Sequence, residues 1–173
     1  MKLYRLKIPG IAHDVIDRLC LEEMIEVTNE NRPEAELDLV AIMEEYSRRD
    51  HELRERVKEH MSTHSVPYDR YGKIRGQLAL EMGHPTGDDV ERFLARQFVE
   101  TFMMSNYVDE VFAEDKDLYK RILEVVRSHD VDERELRDEA REKIKNIPEG
   151  TVDYELALSE AMRDVKKRHG LIR

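Results

Sequence analysis

The sequence predicts an all-α protein: two similar helical units, an internal tandem repeat, packed into one helical body. Apolar residues recur at helical spacing along the whole chain. Helix breakers are scarce, with 7 Gly and 5 Pro in 173 residues, while Glu, Arg, Lys, Leu and Met abound. The third observation is the repeat, at an offset of about 83 positions.

At that offset Glu52, Leu53 and Arg54 fall on Glu135, Leu136 and Arg137, Glu59 on Glu142, and Tyr71 on Tyr154. Apolar positions follow: Val57 with Ala140, Met61 with Ile144, Ile74 with Ala157, Leu78 with Ala161 and Met82 with Val165. Towards the front, Ile11, Val15, Ile16 and Leu19 pair with Leu94, Phe98, Val99 and Phe102. Two amphipathic helices match apolar positions in some register by chance. A shared Glu-Leu-Arg and one offset held over about thirty positions favour duplication, although the front of each unit agrees more loosely and needs a one-residue adjustment to set Met24–Val27 against Val108–Val111.

Four helical segments are expected in each unit. In the first they run over Pro9–Cys20, Pro33–Arg49, His51–Thr63 and Pro67–Met82, and in the second over Asp88–Met104, Asp115–Arg127, Asp132–Lys145 and Thr151–His169. Pro33 and Pro67 suit a first helical turn, where a missing N–H is harmless, and Asp115 and Thr151 are good N-cap types. Breaks are expected at Asn29–Arg32, at Gly83-His84-Pro85-Thr86-Gly87 and at Ile147-Pro148-Glu149-Gly150, where turn residues interrupt the apolar period. The Gly83–Gly87 run divides the chain into units 1–85 and 86–173. Each is near the lower size limit for a self-sufficient core, so the two are expected to lean on each other.

Composition narrows the function classes. A charged fraction of 39% and a mean hydropathy of −0.71 suit a helical protein with a solvated exterior. The formal charge of −10 is spread over both halves, with 13 basic against 17 acidic residues in 1–87 and 16 against 22 in 88–173. That balance argues against nucleic acid and anionic membranes as general partners. The one basic cluster, Lys166, Lys167, Arg168, His169 and Arg173, also suits the negative end of a last helical turn. A single cysteine, Cys20, permits no disulfide within the chain and points to a reducing compartment. The opening residues lack the apolar core of a signal peptide, and no stretch is apolar enough to span a bilayer, so a cytoplasmic location is expected.

Few residues are arranged for chemistry. His60 and His64, four apart on one helix face, could supply two metal ligands, with His51 or Glu59 near in sequence. Met61 stands where a zinc-protease motif needs glutamate, and the second unit has Lys143, Lys145 and Ile147 around the matching places, so a cation recurs and a ligand does not. Glu81 and His84 have the Glu-x-x-His spacing of di-iron bundles, but it occurs once and runs into Pro85. Cys20 falls opposite Met103, as a core position would. No phosphate-binding glycine loop, nucleophile elbow or cysteine pair is present. No catalytic residue and no cofactor is implied.

One segment stands apart. All four phenylalanines, Phe93, Phe98, Phe102 and Phe112, lie early in the second unit with Met103, Met104 and Tyr107. They cover more than the stripe of a one-sided surface helix, so the segment is expected either as a helix buried between the units or as an interface for a partner or a second copy. The candidate interface residues are Phe93, Phe98, Phe102, Met103, Tyr107 and Phe112. The alternative function is a metal-binding, possibly catalytic, bundle using His60, His64 and nearby carboxylates.

The opening Met-Lys-Leu-Tyr-Arg-Leu-Lys-Ile-Pro with Ile-Ala-His-Asp-Val-Ile, the two Glu-Leu-Arg triplets, and Asp153-Tyr154 with Lys166-Lys167-Arg168-His169-Gly170-Leu171 resemble the bacterial DUF 507 family, a domain of unknown function. The resemblance covers nearly the whole chain and is closer in the second unit. It implies a bacterial cytoplasmic protein of unassigned role and transfers no site residue.

Overall fold

Pro9 and Pro33 each stand in a first helical turn and open the first two helices of the computed structural model, which describes residues 1–173. The elements are α1 (Ile8–Leu21), β1 (Ile25–Glu26), α2 (Arg32–Thr63), α3 (Tyr71–Glu81), α4 (Asp89–Met104), β2 (Glu110–Val111), α5 (Asp115–Ser128), α6 (Glu133–Lys143) and α7 (Val152–Arg168). The all-α expectation holds, since the only sheet is a two-residue antiparallel ribbon pairing Ile25 with Val111 and Glu26 with Glu110. Strands this short leave no alternating pattern to read.

Two boundaries differ from expectation. The second and third expected helices are one helix of 32 residues, α2. Arg48-Arg49-Asp50-His51 holds no breaker, and one-turn pairs bridge the expected gap, from Arg48 to Glu52 at 3.7 Å and from Arg54 back to Asp50 at 3.3 Å. Pro67 precedes a 3-10 turn over Tyr68–Arg70 and does not open α3, which begins at Tyr71. At the matching place in the second half the chain does break, because Asp132 caps α6 by accepting from the backbone N–H of Arg134 (2.7 Å) and Glu135 (3.4 Å). Thr151 caps α7 through the N–H of Tyr154, at 3.1 Å.

Packing divides the chain into a body and two arms. In the body α1 contacts α2 and α5, and α4 contacts α5 and α2, so four helices close a ring. Its core of 20 buried residues draws on both halves, with Ile11, Val15, Leu39 and Met43 from one side and Leu94, Phe98, Ile122 and Val126 from the other. The C-terminal half of α2 pairs with α3 as arm one, around Leu53, Val57 and Ala79. Helices α6 and α7 pair as arm two, around nine buried residues that include Tyr4 and Leu171 from near the two chain ends. The segment joining arm one to α4 turns at Gly83 and Gly87, whose φ of 57° and 61° strain any residue with a side chain.

Candidate functional site

Helix α4 resolves the aromatic segment into two sets. Its inward stripe, Leu94, Phe98 and Phe102, is buried in the body between α2 and α5. This corrects the interface expectation for Phe98 and Phe102: at 0% and 3% exposure they form the core of their own chain. Phe93 is half-buried, tilted against Tyr46 at 6.2 Å. Beyond Phe102 the helix leaves the core, and Met103, Met104, Tyr107 and Phe112 are exposed, Met104 by 76% and Phe112 by 56%.

This exposed set is fixed by hydrogen bonds, not by burial. The Phe112 N–H donates to the Met24 carbonyl at 3.0 Å, holding β2 on the turn after α1. Asp109 accepts from the Thr28 N–H at 2.7 Å and from Asn31 Nδ2 at 3.1 Å, tying the ribbon to the start of α2. Ser105, where α4 ends, donates to Asp38 at 2.6 Å. Large apolar side chains thus stand exposed on backbone held by hydrogen bonds.

The remaining expected residues are not assembled for chemistry. His60 and His64 do share a helix face, their rings stacked at 4.3 Å, and His64 Nδ1 lies 2.9 Å from the His60 carbonyl oxygen. No group of three or more His, Cys, Asp or Glu side chains is placed to hold a metal ion, so His51 and Glu59 do not complete a ligand set with His60 and His64. Glu81 is exposed while His84 is buried, which separates that pair as well. Burial pushes the Cys20 thiol up, away from a reactive thiolate. In the basic tail Arg168 and His169 both meet Glu139, at 2.5 and 2.8 Å, and Lys166 meets Glu133 at 3.4 Å, so much of that charge is matched within the fold.

Three side-chain groups were not legible in the sequence. His84 stacks on Tyr46 at 4.8 Å, and its Nε2 lies 3.5 Å from Asp50, which Arg75 holds at 2.8 Å. Burial lowers the His84 pKa, against the pull of Asp50. Glu91 is buried against Arg127 at 2.8 Å. Tyr4 donates to Glu133, beneath the ammonium groups of Lys2 and Lys166. Each joins residues from elements far apart in sequence, which no local period reveals.

The fold and these surfaces define an all-helical protein with an ordered, exposed apolar segment and no assembled ligand set. The chain belongs to the family described as Protein of unknown function (DUF507), whose family model matches residues 1–171. No curated protein matches the sequence. No helix is long and apolar enough to cross a membrane.

Proposed function

We propose that this is a non-enzymatic interaction or regulatory module of the bacterial cytoplasm that recognises another protein, or itself, through Met103, Met104, Tyr107 and Phe112. The observation that carries the reading is four large apolar side chains exposed within ten residues, on backbone held by hydrogen bonds to α2 and to the turn after α1. Aromatic and Met side chains are enriched where binding energy concentrates. The two halves, 1–85 and 86–173, are read as copies of one unit. Support comes from the element order, helix, short strand, helix, helical hairpin, and from Leu53 and Leu136 of the two Glu-Leu-Arg triplets, both buried in their arms.

The test replaces exposed residues only. Met104→Ser with Phe112→Ser should leave the melting temperature nearly unchanged, because exposed substitutions cost within about 0.5 kcal/mol. It should also abolish self-association in sedimentation, or the recovery of a stoichiometric partner in quantitative purification at native expression. Unchanged assembly and recovery in the folded variant would defeat the reading.

A further inference from the structure

The groove between α6 and α7 carries charge that its own chain leaves unmatched. Arg134, Arg137 and Arg163 line it. Within the groove Lys166 meets Glu133 at 3.4 Å, and the other ion pairs inside this arm run elsewhere, from Arg141 to Asp138, Lys145 to Glu142, and Arg168 and His169 to Glu139, which leaves the three arginines unpaired. With Lys166 these cations outnumber Glu133 and Glu155, the two carboxylates that share the groove. Deeper, Leu158, Met162 and Ile172 are buried or half-buried and floor a space of about 600 Å³. A cationic groove with an apolar floor on a chain of net charge −10 selects an acidic segment bearing an apolar anchor.

The chain carries such a segment. Residues 109–117, Asp-Glu-Val-Phe-Ala-Glu-Asp-Lys-Asp, hold five carboxylates and one lysine around the exposed Phe112. Glu110, Glu114, Asp115 and Asp117 are exposed, and the ribbon is anchored through Asp109 instead. Since Phe112 stands in solvent, its own chain's groove does not cover it. We infer that the α6–α7 groove receives the acidic Phe112 ribbon of a second copy of this chain. Phe112 would seat on Leu158, Met162 and Ile172 while the flanking carboxylates pair with the arginines, whose planar forks suit carboxylates. The contact is head-to-tail, one groove and one ribbon per copy, so assembly grows with concentration into rings or open chains and weakens with salt. This rests on the reading that Phe112 belongs to a recognition surface.

Sedimentation velocity on the full chain, over a concentration series at low and high salt, tests it with two charge-reversal variants. Arg134→Glu/Arg137→Glu/Arg163→Glu alters only the groove, and Glu110→Lys/Glu114→Lys/Asp115→Lys only the ribbon; near-wild-type circular dichroism melts show that both fold. Wild type should self-associate more strongly at low salt, and each variant alone should weaken association at least about tenfold. Mixed, the two variants should regain association, because the intact ribbon meets the intact groove and the reversed ribbon meets the reversed groove. Ribbon reversal that dissociates wild-type assemblies while groove reversal does not would overturn the groove as receptor and leave the interaction reading standing. A wild type that stays monomeric at every concentration overturns the inference. If that monomer binds a fluorescent oligonucleotide through the three arginines, the groove's occupant is nucleic acid instead.

Discussion

The two arms build the same antiparallel helix pair by different means. Arm one has three buried residues, but one of its helices is the continuation of α2, so the body holds it through unbroken backbone. Arm two has nine buried residues and no such continuity, since the chain turns between Ser128 and Asp132. It is closed instead by Tyr4 and Leu171, and by side-chain caps at Asp132 and Thr151 that α3 lacks. A hairpin that extends a core helix stands on little burial of its own. One joined by a loop needs its own core, caps and a clasp.

That contrast breaks most sharply at the clasp. Tyr4 is buried on arm two and donates to Glu133, so Tyr4→Ala removes an aromatic from a small core and leaves Glu133 with only the ammonium groups of Lys2 and Lys166. A loss of about 4 kcal/mol is expected, in the range for buried aromatic truncations. Hydrogen exchange should place it in α6 and α7 and leave α3 at wild-type protection. Equal loosening of both arms would show that they are not independent units.

Next in size is Leu53→Ala, at the centre of arm one, expected to cost about 3 kcal/mol. Its effect should be exchange of α3 and the last turns of α2, with Leu39 and Met43 still protected in the body. If protection is lost along the whole of α2, helix continuity does not insulate the body as claimed.

The arms also show what the sequence could and could not reveal. The two Glu-Leu-Arg triplets mark their centres correctly because Leu53 and Leu136 follow the helical period, which is local. The difference at Arg49–His51 was not legible: the apolar period is shared by both halves, whereas only the second half carries the Asp132 cap that stops a helix. The aromatic segment was legible as unusual but not as divided, since the helical period that buries Phe98 and Phe102 ends with α4 and says nothing of Phe112 in the ribbon. Tyr4 on Glu133 and His84 beside Asp50 join residues distant along the chain, so only the fold discloses them.

Asp132→Ala sharpens the comparison by a smaller amount. Losing a cap that accepts from two N–H groups is expected to cost about 1 kcal/mol, lowering the melting temperature of a chain this size by about 2–4 °C. Asp132→Ser should recover most of it, because a hydroxyl also accepts at an N-cap. A loss that serine does not recover would assign Asp132 a role other than capping.

The smallest effect is a pH dependence that belongs to the root of arm one. His84 has a side chain 1% exposed, with neither ring nitrogen hydrogen-bonded, and burial holds its pKa below the ordinary histidine value. Around it Asp50 favours the charged ring, while Arg49 and Arg75 oppose it. With the folded pKa depressed, the unfolded chain takes up the proton first. The stabilisation is therefore complete above about pH 6.5 and is lost as pH falls towards the folded value. His84→Phe keeps a ring against Tyr46 and removes the titration. Between pH 7 and pH 5 the variant should lose less urea stability than wild type, and the excess exchange in wild type should appear in α3 and at Gly83–Gly87, not in arm two. Carboxylates that titrate in both proteins cancel in the difference. If wild type instead gained on the variant with acidification, the Asp50 attraction would outweigh burial, and the ring would enter the fold as a cation.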